Sequence, residues 1–221
     1  MNPRFNPASI RDTVENLSQP DVYHFGPENL LLADLLALHS PGPHVLDLGC
    51  GCGVLGIVAA LATQARQLTL VDLQPEMMHH AGANAPLADC PVNPLTADIR
   101  SVTLAEPADL VVMNPPFFAA GAGRESSNVV AARATHAHAG GVADFVQAAA
   151  RLLSPAGAVW LVYPADGLAD ALNAAAAVSL FPAHLQIVHA RHRDRPFRVW
   201  VRLTWSPRPM QVVSCSTWTR R

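Results

Sequence analysis

The segment His44–Ala62, HVLDLGCGCGVLGIVAALA, restricts the fold more than any other part of the chain. A short apolar run that reads as a buried strand passes through glycines at alternate positions directly into an apolar, alanine-rich helix. A strand that enters a helix through a tight glycine turn is the opening half of a βαβ unit, and such units assemble into parallel sheets. The same rhythm continues down the chain. Strand-like runs at 44–48, 67–72, 92–96, 108–113, 157–163, 184–190 and 197–205 alternate with helix-like runs at 54–65, 75–85, 141–153 and 166–178. An α/β fold with helices on both faces of a mostly parallel sheet is the expectation. Only ARHRDRP, residues 190–196, joins the last two strands, too short for the crossover a parallel pair needs. The expected sheet therefore has seven strands, the last one antiparallel and at the edge.

The 221 residues, half of them apolar, suffice for one well-buried domain. No signal-like start and no apolar run of about 20 residues is present, so a soluble cytoplasmic protein without a membrane segment is expected. Residues 1–43 read as an N-terminal helical segment packing on a core domain of 44–205, with 206–221 as a C-terminal tail. Cys50, Cys52, Cys90 and Cys215 form no Cys-x-x-Cys pair, and neither they nor the pairs His79-His80 and His136/His138 fall at metal-ligand spacing. Reduced thiols and no metal are expected. Charge is unevenly spread: residues 1–190 hold seven arginines against sixteen acids, whereas 191–221 hold eight arginines against Asp194. An acidic body with one basic end excludes a general nucleic-acid sponge but allows a local contact with a phosphate backbone.

Each glycine in the loop removes a side chain where a ligand can approach the backbone, and the following helix supplies free N–H groups. The spacing is ambiguous, because Gly49-x-Gly51-x-Gly53 overlaps Gly51-x-Gly53-x-x-Gly56, which also satisfies the dinucleotide fingerprint. Asp72 closes the next strand, where a carboxylate can accept both hydroxyls of a ribose; that suits either cofactor. Asp47 precedes the glycines. A carboxylate there can orient the loop or meet an ammonium, and it would repel a dinucleotide pyrophosphate, which favours S-adenosylmethionine. Asp98, beyond the third strand in LTADIRS, is placed either for the exocyclic amine of an adenine or for an Asx turn.

The fourth strand ends as VVMNPPFF, residues 111–118. Ligands in open α/β sheets bind outside the carboxyl ends of the strands, so Asn114 would be delivered beside the cofactor. The amide oxygen of Asn114 and the carbonyl of Pro115 are two acceptors for the hydrogens of a planar amine, a poor nucleophile whose positive charge grows as a methyl group arrives. Pro115 and Pro116 fix φ and so aim that carbonyl in advance. Phe117 offers a stacking face for a flat base.

Taken together, VLDLGCGCGVLG, LVDLQP, ADIRS and VVMNPPFF resemble the class I S-adenosylmethionine-dependent methyltransferases of the small-domain type, which act on exocyclic amines. Over roughly residues 44–165 the order and spacing match. With QPDVYHFGPENLLLADLL ahead of the domain, the chain is most similar to the bacterial tRNA (adenine-N6) methyltransferase family. That resemblance implies a Rossmann-like class I fold and S-adenosylmethionine as cofactor. It would place Asp47, Gly49, Gly51 and Gly53 at the methionine end, Asp72 at the ribose and Asp98 at the adenine, with Asn114, Pro115, Pro116 and Phe117 around the amine. RNA, most of all tRNA, is the expected partner. Arg191, Arg193 and Arg195 in the hairpin turn, with Arg124 and Arg133 in the long 119–140 loop, are expected to meet its phosphates. Guanine-N2 of rRNA or a protein glutamine stand as alternative amines; an NAD-dependent oxidoreductase and an idle nucleic-acid-binding module are the readings from other classes. The sequence carries no signal for an oligomeric state.

Overall fold

Runs of β-branched and aliphatic residues buried on both faces build the centre of the sheet, and alanine-rich amphipathic runs build the layers that cover it. The computed structural model describes residues 10, 12–14, 17, 30–37, 43–116, 140–189 and 195–216. In chain order these comprise helix α1 (Leu31–Ala37), strand β1 (His44–Leu48), α2 (Val54–Thr63), β2 (Gln67–Asp72), α3 (Pro75–Asn84), β3 (Val92–Thr96) and β4 (Ala108–Met113). There follow α4 (Val142–Leu152), β5 (Leu153–Pro164), α5 (Leu168–Ala177), β6 (Phe181–His189), β7 (Pro196–Thr204) and β8 (Gln211–Ser216).

The eight strands lie in the order β3-β2-β1-β4-β5-β7-β6-β8. One face carries Val45, Leu68, Leu70, Val112, Trp160 and Trp200 in a single cluster with buried residues of α1, α2 and α3, and with Ile10, Val14 and Leu17. Leu46, Leu48, Val71, Met113 and Leu161 of the opposite face pack with Phe145, Val146 and Ala149 of α4 and Ala171 of α5. Strands β1 to β5 are parallel. From β1 the chain steps outward to β2 and β3, then returns to the other side of β1 for β4. That reversal opens a crevice at the carboxyl ends of β1 and β4.

Two expectations need correction. The reversed strand is not at the edge: β7 lies between β5 and β6, antiparallel to both. Val199, Val201 and Leu203 are buried on one of its faces and Trp200 on the other, and a strand buried on both faces satisfies its backbone only with neighbours on both edges. Nor is the segment 206–221 merely a tail. Residues Gln211–Ser216 add β8 along β6, parallel to it, so among the described residues the sheet has eight strands and the last of them in the chain is parallel to its neighbour. Its sequence QVVSCS hides the strand, because adjacent valines among polar residues break the alternation that marks a half-buried strand. Of the N-terminal segment, α1 packs through Leu32, Ala33, Leu35 and Leu36; the rest of 18–29 and 38–42 lies outside the described residues, as does 117–139.

Candidate functional site

In register, Leu48 of β1 lies between Val71 of β2 and Met113 of β4. The next residue of each strand is therefore Gly49, Asp72 and Asn114, side by side across about 10 Å at the carboxyl edge, given ~4.8 Å between strands. The fold thus brings together three of the segments expected to act.

Asp72 ties the glycine loop to β2. Its Oδ2 accepts the Gly51 N–H at 2.8 Å and its Oδ1 accepts the Gln74 N–H at 2.9 Å. The N–H groups of Gly49 and Cys50 both donate to the carbonyl of Val71, at 2.8 and 3.0 Å. Each Asp72 oxygen retains a lone-pair direction after these bonds, so the carboxylate can still accept hydroxyls.

Asp47 is 1% exposed. Its Oδ2 accepts the Gly56 N–H at 2.7 Å, while Oδ1 is buried without a hydrogen-bond partner among the described residues. Burial, opposed by the Gly56 N–H and reinforced by the nearby Asp72 charge, pushes this carboxyl up to about 7 from 3.8. A buried acceptor with no donor among the described residues has room in its hydrogen-bonding for a donor that a ligand brings. The ammonium of an amino-acid ligand is of that kind, so the donor set fits the methionine end of S-adenosylmethionine.

Two glycines are required here for steric reasons. At Gly49, φ is +67° and an added Cβ would lie 2.7 Å from the Phe145 ring. At Gly56 it would lie 2.6 Å from Leu70 and 3.0 Å from the Cβ of Asp47. Gly56→Ala is expected to cost about 1–3 kcal/mol of stability by overpacking, read as a lowered melting temperature together with weaker S-adenosylhomocysteine binding as Asp47 is displaced. An unchanged melting temperature would show that the loop yields.

Asp98 stands differently. Its Oδ1 accepts the Arg100 N–H at 2.9 Å, and Arg100 Nε and Nη2 close a fork on the carboxylate. The Arg100 hydrogen bonds, outweighing a small burial effect, hold the carboxyl below its usual value. The Asx turn considered for this residue is present, and these bonds occupy the acceptor directions an adenine amine would use.

Asn114 is half-buried, Pro115 buried and Pro116 half-buried. The Asn114 carboxamide makes no hydrogen bond among the described residues. Phe117, Arg124, Arg133, His136, His138, Arg191 and Arg193 lie outside the described residues. Arg195 is exposed immediately before β7. Since β6 runs parallel to β5 and β7 returns antiparallel, Arg195 lies at the same edge of the sheet as Asn114. His79 and His80 meet ring to ring at 5.8 Å on α3, and Met78 is buried with its sulfur 3.7 Å from the Cys50 thiol.

Three supports of the site carry no recognisable signature in the sequence. Asn84, 2% exposed, donates from Nδ2 to the Cys52 carbonyl at 2.9 Å and pins the glycine loop to α3. Arg151 donates to the carbonyls of Ile99 and Val102, holding the Asp98 loop. Phe145 fills the space beneath Gly49. The available signal was weak: one amide in the alanine- and histidine-rich α3, and one cation in the apolar α4.

Comparison with known proteins agrees with this geometry. Residues 26–176 match the family model "Methyltransferase small domain". A tRNA1(Val) (adenine(37)-N6)-methyltransferase of Glaesserella parasuis is 31% identical over 141 residues, covering 62% of this chain and 57% of the relative. One of the same name from Phocaeicola vulgatus is 28% identical, covering 86% and 83%. A release factor glutamine methyltransferase of Bordetella pertussis is 30% identical, covering 78% and 66%. Among solved structures, a TehB-like SAM-dependent methyltransferase of Corynebacterium glutamicum superimposes with a TM-score of 0.53 at 20% identity, covering 90% of this chain and 99% of that one. By its matched sequence, its strand order and its glycine loop, the chain belongs to the methyltransferase small-domain family, whose class I fold takes S-adenosylmethionine as cofactor.

Proposed function

We propose that the protein transfers a methyl group from S-adenosylmethionine to the exocyclic N6 amine of an adenine in tRNA. The observation that carries this is the placement of the Asn114 carboxamide, unbonded among the described residues, and the proline-fixed Pro115 backbone beside Gly49 and Asp72, at the crevice where the strand order reverses. When bound, the cofactor supplies an electrophilic methyl group. The protein's part is alignment and charge stabilisation. Asp47 and Asp72 hold the two polar ends of the cofactor against the glycine loop. Asn114 Oδ1 and the Pro115 carbonyl accept one amine hydrogen each, which favours the tetrahedral, positively charged nitrogen over the planar one. Phe117 stacks on the base, and Arg191, Arg193 and Arg195 hold phosphates nearby. Adenine is favoured over other amines by the names of the relatives from Glaesserella and Phocaeicola. A protein glutamine is the second reading, favoured by the Bordetella relative. Such an enzyme would act on RNA in the cytoplasm.

Asp98 can serve the adenine of the cofactor only after Arg100 swings away. Arg100→Ala is therefore expected to tighten S-adenosylhomocysteine binding modestly, about 2- to 5-fold, because an exposed ion pair is screened by solvent and easily displaced. Unchanged affinity in calorimetry would take Asp98 out of the cofactor site.

The reading as a whole is tested by calorimetry and by transfer of labelled methyl groups. S-adenosylhomocysteine should bind and NAD should not, and unmodified tRNA should become labelled as N6-methyladenosine. Binding of NAD alone would restore the oxidoreductase, and labelled glutamine the second reading.

A further inference from the structure

At the amino ends of β1 and β2, away from the methyl-transfer crevice, a cavity of about 420 Å³ lies between the sheet and the connection from β3 to β4. Its floor follows from the register. His44 pairs with Gln67, Leu46 with Thr69, and Thr69 with Asn93, so these polar side chains share the face that carries Leu46. Helix α4 packs on β4 and β5, and over β2 and β3 the connection takes its place: Ile99 and Val102 are buried there, with Leu95 and Leu104 packed beside them. Both walls are held. Arg151 donates to the carbonyls of Ile99 and Val102, just ahead of Thr103. The His44 N–H donates to Asp109 Oδ2 at 3.1 Å, and Asp109 Oδ1 accepts the Ser154 hydroxyl at 3.1 Å. Walls fixed in advance spare a ligand part of the ordering cost of binding.

His44 is the buried polar member of this wall. It is 7% exposed, its Nε2 is hydrogen-bonded to Thr69 Oγ1 at 3.0 Å, and its Nδ1 is buried without a partner among the described residues. Whichever of Nε2 and Oγ1 donates, a neutral ring keeps its second nitrogen for another bond. That nitrogen has room for a group that a ligand brings. The side chains of Gln67, Asn93, Thr103 and Glu106 are exposed at the mouth of the cavity and make no hydrogen bond among the described residues.

The lining selects the ligand. It includes the carboxylate of Glu106 and no arginine, which disfavours a phosphate. One exposed carboxylate holds a cation only weakly. What remains is a set of two carboxamides, two hydroxyls and an imidazole, offering donors and acceptors together, with Leu95 and Leu104 as apolar surface. Gln67 and Asn93 stand diagonally on neighbouring strands, roughly 8 Å apart at the backbone, within reach of one flat ring. Carboxamides pair with the donor and acceptor edge of a nucleobase, and the size is that of a small-molecule site.

We infer that this cavity is a second binding site, for the base of a nucleoside. It is distinct from the crevice because Gly49 lies five residues beyond His44, about 16 Å along the strand. The base is that of a free nucleoside or an unstacked base of an RNA chain, read on its edge. The second source rests on the proposed RNA substrate; the first does not.

Both sources are tested with the full chain and the variants Asn93→Leu, which removes a carboxamide, and Thr103→Trp, which fills the cavity. Both positions are exposed, and Asn93→Leu carries the test should the other variant fail to fold. In one arm, adenosine, guanosine, cytidine and uridine are titrated by calorimetry with S-adenosylhomocysteine at saturation, so that the crevice is filled. One of them should bind at one site, about 5- to 10-fold more weakly in Asn93→Leu and not at all in Thr103→Trp. In the other arm, affinity for unmodified tRNA is measured against salt. If the base belongs to RNA, each variant should bind tRNA about 5- to 10-fold more weakly, with the slope of log K against log salt unchanged because no charge has been altered. Weakening in the nucleoside arm alone assigns the site to a free nucleoside, and weakening in the tRNA arm, with or without the other, assigns it to an RNA base. Variants that match wild type in both arms, or a wild type that binds neither nucleoside nor tRNA, overturn the site. Failure of wild type to bind S-adenosylhomocysteine would instead overturn the methyltransferase reading, and the nucleoside arm would still be read from the two variants.

Discussion

Replacing Asn114 by alanine is expected to slow methyl transfer by a factor of about 10²–10³ while S-adenosylhomocysteine binds as before. Removing one preorganised group that stabilises charge in a transition state costs about 3–4 kcal/mol of barrier, by analogy with single oxyanion-hole donors. The carboxamide has no hydrogen bond to lose among the described residues. Truncation should therefore leave stability within about 0.5 kcal/mol of wild type. Single-turnover kinetics separates the cases. A slow chemical step with intact cofactor affinity is the expected outcome. An unchanged chemical step would remove Asn114 from the transition state, and a drop in melting temperature to match the lost activity would make its role structural.

The second large effect is expected at Asp47, and it depends on pH. This carboxyl titrates at about 7 in the folded chain and near 3.8 in the absence of burial. Between those values the folded state binds a proton that the unfolded state does not. The group's contribution to stability is therefore greatest below pH ~4, declines as pH rises toward 7, and is lost above, where the full cost of burying the charge is borne. Cofactor binding should run the other way, since an ammonium needs the ionised carboxylate. Affinity for S-adenosylhomocysteine should rise as pH passes through 7, and at pH 7 binding should release about half a proton. Calorimetry in buffers of different ionisation enthalpy reads that number. Asp47→Asn retains an acceptor for the Gly56 N–H but carries no charge. It should stabilise the free protein at pH 8, lose the proton release, and weaken binding about 10- to 100-fold, the worth of a charge-assisted hydrogen bond of ~1.5–3 kcal/mol. Proton release unchanged in that variant would place the titration elsewhere.

The parts of the site legible in the sequence are those where backbone geometry forces the choice of residue. Gly49 sits at positive φ against the Phe145 ring, and only glycine is tolerated there. Strands β1 to β4 were readable because they are buried on both faces or bounded by turns, and their carboxyl ends carry the motif residues by the rule of open α/β sheets. What escaped depends on contacts distant in the chain. Asn84 reaches the Cys52 carbonyl across 32 residues and Arg151 reaches Ile99 across 52, and no local pattern announces either. Asp98 shows a different limit. A motif names the residue, but its neighbour Arg100 decides what its carboxylate is free to accept. The placement of β7 escaped because a short hairpin connection shows that two strands are antiparallel without telling which of them lies inside the sheet.

The proposed role of Asn114 and Pro115 is to accept the hydrogens of the N6 amine of an adenine in tRNA. Mass spectrometry of nucleosides from purified tRNA and rRNA, in cells with and without the gene, tests it most directly. N6-methyladenosine should disappear from the tRNA fraction of the deletion strain and return with the wild-type gene but not with Asn114→Ala. Unchanged tRNA methyladenosine, with loss of a methylguanosine from rRNA or of methylglutamine from a protein, would contradict it.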